Sequence, residues 1–186
     1  MNNERASATC ISALAKIYPL AKIIPGQGGC VIGDHAQIDD FVFINCGQML
    51  NIGRYAHIAS FCSVIGGGAF YMEDFAGLSA GCRVVTGTDD YSGPYLTNPT
   101  VPGQYRNVVQ SKVVMGRHAI LGSNCVVMPG VTIGEGATVG AGCIINKDLD
   151  PWGVYVGHTP RKIAERDRDA VLSLEKALCA RLQDRI

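Results

Sequence analysis

The chain has 186 residues, with sixteen acidic against sixteen basic side chains. That is one domain's length, with no charge excess for nucleic acid or an anionic membrane surface. No apolar run approaches the roughly eighteen residues a membrane span needs. The opening MNNERASATC lacks the apolar stretch of a signal peptide, so a cytoplasmic protein is expected.

From the N-terminus, residues 5–24 (RASATCISALAKIYPLAKII) read as a short helix ended by Pro19, then an extended lead-in. Pro25 and the glycines at 26, 28 and 29 form a turn that closes a first unit over 1–30.

A different rhythm then sets in. Fifteen aliphatic residues recur at a step of six, in triplets: Ile32, Ile38, Ile44; Ile52, Ile58, Val64; Met72, Leu78, Val84; Met115, Leu121, Val127; Ile133, Val139, Ile145. The residue four places after each is usually small, as at Ala36, Ala56, Cys62, Ala76, Ala119 and Ala137. Six fits neither the helix period nor a long alternating strand. It fits a hexapeptide-repeat β-solenoid, in which three units close one triangular coil. The solenoid is assigned to 31–150.

Val84 and Met115 are thirty-one positions apart, so the chain leaves the prism over 86–111, a loop with three prolines, three tyrosines and the pair Asp89, Asp90. Loops this long without secondary structure are usually functional. The segment after Ile145 is expected to leave the prism, with a helix beginning at Pro160 within a last unit over 151–186. Val171, Leu174, Leu178 and Leu182 share an apolar face that would cap the solenoid or meet a neighbouring subunit.

Eight cysteines include no CxxC pair, and Cys62, Cys82, Cys125 and Cys143 fall on the small-residue column. They read as structural thiols. His35, His57, His118 and His158 are scattered, so no metal is expected.

The run MGRHAILGSNCVVMPGVTIGEGATVGAGCIINKD, followed by PWGVYVGHTPRKI, resembles the hexapeptide-repeat acyltransferases of the galactoside and maltose O-acetyltransferase group, over roughly residues 31–163. The resemblance implies an all-β, left-handed parallel β-helix, a homotrimer with active sites between subunits, and acetyl-CoA as co-substrate. By motif, the coenzyme would run past Gly122-Ser123 and Gly140-Ala141-Gly142, with Lys147 and Arg161 meeting its phosphates. The tail reads GHTPR here, so His158 departs from the group's pattern.

The loop DDYSGPYLTNPTVPGQYRNV is most similar to N-acetyltransferases of dTDP-4-amino-4,6-dideoxyglucose, which implies a nucleotide-linked amino sugar as acceptor and a place in surface-glycan or O-antigen sugar synthesis. The galactoside-type enzymes carry a loop histidine as general base; this loop has none and offers Asp89 and Asp90. An amine needs only to be neutral before attack, whereas a hydroxyl needs a strong base, so an amine acceptor is favoured. His57, at a corner, is a second candidate. It would meet Asp90 across a subunit interface, or else be a corner residue bonded to backbone. His118 is a less favoured base. Tyr91, Tyr95 and Tyr105 would stack on the nucleotide or pack the loop on a neighbour. The rivals are an O-acetyltransferase acting on a saccharide, a three-histidine zinc carbonic anhydrase and a non-catalytic assembly module.

Overall fold

A computed structural model describes residues 9–183. Each triplet of hexads forms one turn of a parallel β-solenoid, and its strands stack into three faces. The first face runs from Thr9–Ile11 through Cys30–Ile32, Leu50–Ile52, Ala69–Met72 and Lys112–Met115 to Thr132–Ile133. The second runs from Lys16–Ile17 through Gln37–Ile38, His57–Ile58, Gly77–Leu78, Ile120–Leu121 and Thr138–Val139 to Gly153–Val156. The third joins Lys22–Ile24, Phe43–Asn45, Ser63–Ile65, Arg83–Val85, Val126–Val127 and Ile144–Ile145. All fifteen hexad residues are buried, in continuous columns, and the small residues lie buried beside them.

The corners explain the remaining residues. His35, Tyr55, Phe75, His118 and Trp152 all hold positive φ, between 55° and 61°, at one corner of successive coils. This left-handed conformation costs about 1–2 kcal/mol in a residue with a Cβ. Stacking offsets it: ring centroids are 4.7 Å apart for His35–Tyr55, 5.2 Å for Tyr55–Phe75 and 5.0 Å for Phe75–His118. Gly136 takes the next rung, where a Cβ would fall within 2.3 Å of the Trp152 ring; its absence lets Trp152 reach toward His118.

Three sequence expectations are corrected. Over its described part, 9–24, the expected N-terminal helix is a further solenoid coil: Ile11, Ile17 and Ile23 pair in register with Ile32, Ile38 and Ile44. The hexad step persists there, and Pro19 sits between strands instead of ending a helix. Residues 1–8 lie outside the described part. At the other end, Leu149 bridges Ile133 and Tyr155 pairs with Val139, so the prism continues beyond Ile145. The expected helix start at Pro160 is instead Arg161–Glu165, an antiparallel strand covering the edge left by Gly153–Val156.

The helix is Arg168–Gln183, capped where Asp167 Oδ1 accepts from the Ala170 amide at 3.0 Å. It lies along the aromatic corner, with Glu175 buried and Leu174 and Leu178 facing outward. The Leu182 side chain lies outside the described part.

The long loop has secondary structure of its own. Gly87–Asp89 and Val108–Gln110 form an antiparallel ribbon at its root. Thr86 anchors it, fully buried, donating from Oγ1 to the Ile65 carbonyl at 3.0 Å and accepting from the Gly68 amide at 3.0 Å.

Candidate active site

His57 points outward from the second face, because it precedes the buried hexad residue Ile58 and alternate side chains face opposite ways. Its Nε2 lies 3.0 Å from Asp39 Oδ2 in the same chain. Burial works to raise the Asp39 carboxyl, but hydrogen bonds from Gln37 and His57 outweigh it and hold the group below its ordinary value. An ionised Asp39 accepts the Nε2 proton and leaves the Nδ1 lone pair free. Asp39 carried no sequence signal beyond its place after a hexad. Beside His57 is a shallow cleft of about 210 Å³ lined by Ala59, Gly77, Leu78, Ser79, Ala80 and Ile120.

The loop root occupies the edge between the third and first faces, since the chain leaves after Arg83–Val85 and returns at Lys112–Met115. In a triangular prism that edge is opposite the second face. A cleft of about 600 Å³ opens there, with Asn45, Gly66, Thr88, Asp89, Tyr91 and Arg106 among its lining. Asp89 Oδ2 accepts from the Asn98 amide at 3.0 Å. Its Oδ1 is buried without a hydrogen bond, 3.8 Å from Arg106 Nη1.

Asp90 is differently engaged. Oδ1 accepts from Ser92 N at 3.1 Å, Ser92 Oγ at 3.2 Å and Gly93 N at 2.8 Å, and Oδ2 accepts from Asn107 Nδ2 at 3.1 Å. The Asn107 hydrogen bond, then those from Gly93 and Ser92, hold its carboxyl below the ordinary value. Within a protomer, then, Asp90 clasps the loop and His57 pairs with Asp39; the two do not meet. Tyr91 is 84 % exposed, Tyr95 46 % and Tyr105 53 %, so none is packed away against its own prism. His118 is buried under the helix, bonded to Glu175, and lines neither of these clefts.

The corner joining the second and third faces carries small residues coil after coil: Ala59, Ser79-Ala80, Gly122-Ser123 and Gly140-Ala141. Thiols hold it from inside: Cys62 Sγ donates to the Ser79 carbonyl at 3.1 Å, Cys82 to Gly122 at 3.2 Å and Cys125 to Gly140 at 3.1 Å. Burial pushes the Cys143 thiol up, and the hydrogen bond with Cys82, together with burial, does the same for Cys125. At Gly122 a Cβ would fall 2.5 Å from the Ala141 amide nitrogen, so the coils touch there.

Lys147 and Arg161 are both exposed at the C-terminal end of the prism. Lys147 follows the strand Ile144–Ile145, and Arg161 begins the edge strand. The His158 carbonyl accepts from the Ile144 amide at 2.7 Å, so the departure at that position serves through backbone. Arg161, paired with Val156 where the second face ends, stands at the end of this corner, whereas Lys147 lies beyond the third-face strand. Among the described residues, no group of three or more His, Cys, Asp or Glu could hold a metal, and no helix is long and apolar enough to cross a membrane.

Similarity to known proteins runs along the same lines. The family model described as bacterial transferase hexapeptide (six repeats) matches residues 112–147. A dTDP-4-amino-4,6-dideoxy-D-glucose acyltransferase of Escherichia coli is 36% identical over 145 residues, covering 77% of this chain and 75% of that protein. AntD, an N-acyltransferase from Bacillus cereus, was crystallised with dTDP and 3-hydroxybutyryl-CoA. It superposes with a TM-score of 0.75 at 36% identity, over 94% of this chain and 88% of AntD. A serine-to-alanine variant of AntD, holding dTDP-4-amino-4,6-dideoxyglucose and coenzyme A, superposes at 0.76 and 36%, over 92% and 91%. With its hexads and relatives of this likeness along most of its length, the chain belongs to the hexapeptide-repeat acyltransferases.

Proposed function

We propose that the chain transfers an acetyl group from acetyl-CoA to the amino group of a nucleotide-linked amino sugar resembling dTDP-4-amino-4,6-dideoxyglucose, in the cytoplasm, for surface-glycan synthesis. The observation that carries this is the Asp89 carboxylate in the lining of the loop cleft, whose Oδ1 accepts no hydrogen bond and has only a long ion pair, 3.8 Å, to Arg106. A carboxylate oxygen with an unfilled acceptor position is matched by a sugar ammonium, whose hydrogen bond is charge-assisted, better than by a neutral hydroxyl. The variants crystallised for AntD alter a serine and an aspartate ten positions apart. Ser79 and Asp89 have that spacing, and Ser79 lines the cleft beside His57.

His57 on the second face and Asp89 on the opposite edge do not assemble one site within one prism. A homotrimer would, with the loop of one copy set against the second face of the next. There Asp89 holds the amine, and His57 Nδ1, oriented through Asp39, accepts its proton as nitrogen attacks the thioester carbon. The C–S bond breaks, and the thiolate of coenzyme A takes up the proton. Lys147 and Arg161 hold the coenzyme phosphates, and Ser123 and Ala141 lie along its arm. Tyr91, Tyr95 and Tyr105 supply exposed rings for the nucleotide. Backbone amides at the coil turns polarise the thioester carbonyl.

The test is thiol release from acetyl-CoA with dTDP-4-amino-4,6-dideoxyglucose as acceptor and galactosides as hydroxyl controls. Release only with the amino sugar, abolished in Asp89→Asn, is the expected result. Turnover of galactosides instead would overturn the amine assignment.

A further inference from the structure

Across the outer surface of the second face, the register aligns Gln37, His57, Gly77, Ile120, Thr138 and Val154 as successive rungs. One rung has no side chain. Glycine inside a strand is destabilising by roughly 0.5–1 kcal/mol relative to alanine and marks a bulge, a bend or close approach of another group. Neither strain nor crowding accounts for Gly77. Its φ is outside the left-handed region, and a Cβ there would meet only Ile120 Cγ1 at 3.6 Å and Cδ1 at 3.8 Å, ordinary contact distances. The glycines at coil corners differ: a Cβ at Gly53, Gly116 or Gly134 would fall 2.5–2.7 Å from backbone of the next coil. The missing side chain leaves the cleft of about 210 Å³ between His57 and Ile120.

We propose that Gly77 sets the size of the acyl group this enzyme transfers, the aliphatic chain of the donor lying in that gap against Ile120. The inference rests on the proposed acyltransferase activity. A coenzyme arm following Ala141 and Ser123 along the corner reaches Ser79, two residues from Gly77. A thioester carbonyl within reach of His57 then carries its acyl carbon beside the gap. Ala59, Ala80 and the half-exposed Ile120 make the lining predominantly apolar, which suits a short hydrocarbon chain better than a hydroxylated sugar. The volume admits chains longer than acetyl: at roughly 30 Å³ per water-sized unit, a four-carbon acyl chain takes about 120 Å³, which fits within the cleft of about 210 Å³.

The experiment compares kcat/KM for acetyl-CoA and butyryl-CoA in the wild type, Gly77→Ala and Ile120→Ala. One methylene in a fitted apolar pocket is worth about 10–200-fold, so Gly77→Ala should lower the butyryl-to-acetyl ratio at least about tenfold. Ile120→Ala should raise it. A ratio unchanged in both variants overturns the assignment. Titration calorimetry of the two acyl-CoAs without acceptor separates this from failure of the transfer reading. With no wild-type turnover, a Kd ratio still shifted by Gly77→Ala sustains the acyl gap, and an unshifted one overturns it.

Discussion

The imidazole Nε2 of His118 lies 2.8 Å from Glu175 Oε2, a contact between residues fifty-seven positions apart that clasps the C-terminal helix to the flank of the solenoid. Arg117 pairs with the same carboxylate, and Arg166 Nη1 donates to the His118 carbonyl at 2.7 Å. Burial, then the Arg117 and Arg166 charges, hold the imidazole pKa below its ordinary value. The folded His118 is therefore neutral and donates its Nε2 proton to Glu175. In the unfolded chain it takes up a proton near pH 6.5. Below that value the unfolded state binds more protons, so stability falls as the medium is acidified and is fully present above it. Urea midpoints should drop from pH 7.5 to pH 5.5, with a shallower drop in His118→Gln.

Glu175→Ala removes an acceptor shared by two donors, one of them charged. A loss of about 1.5–3 kcal/mol in the free energy that holds the helix on the solenoid is expected, as for hydrogen bonds to charged groups. Hydrogen exchange should show loss of protection concentrated in Arg168–Gln183, with the solenoid strands little changed.

At Phe75 the φ of 61° penalises any residue with a Cβ, and two stacking neighbours offset that. Phe75→Ala keeps the penalty and loses the stacking. Phe75→Gly loses the stacking but sheds the penalty, so it should be the more stable variant by about 1 kcal/mol. Chemical denaturation of the pair reads the difference directly.

For the chemistry, His57→Asn should lower kcat by about 10²–10⁴-fold, the ordinary range for a general base. Asp39→Asn should lower kcat by less, since an amide oxygen still accepts from Nε2 while the negative charge is gone. Asp90→Ala should act differently, because its carboxylate clasps the loop. The acceptor KM should rise on the order of tenfold through misplacement, and the loop should become sensitive to limited proteolysis.

The prism was legible because its period is carried by side chains that must be buried, such as Ile32, Ile38 and Ile44. The same period was present at Ile11, Ile17 and Ile23, where alanines and Pro19 between strands imitate a short helix. Arg161–Glu165 was missed for another reason. It is exposed throughout, so only its partner strand makes it a strand. In the candidate site, Asp89 and His57 could be singled out by chemical type. The His57–Asp39 pair could not, because eighteen positions of sequence become neighbours only once coils stack. The distinction between Asp89 and Asp90 is that the loop's own donors fill both oxygens of Asp90 but only one of Asp89, and adjacent residues of one type give no hint of that.

Placing the loop on the edge opposite the second face has a genetic consequence. If each reaction centre is shared by two copies, a chain carrying His57→Asn and a chain carrying Asp89→Asn are each inactive alone but not together. Where the intact face of the second meets the intact loop of the first, a complete centre forms. Random co-assembly of equal amounts would restore about one centre in four. Two alleles of one gene would thus complement each other in the same cell, and the unit on which selection acts would be the junction between chains.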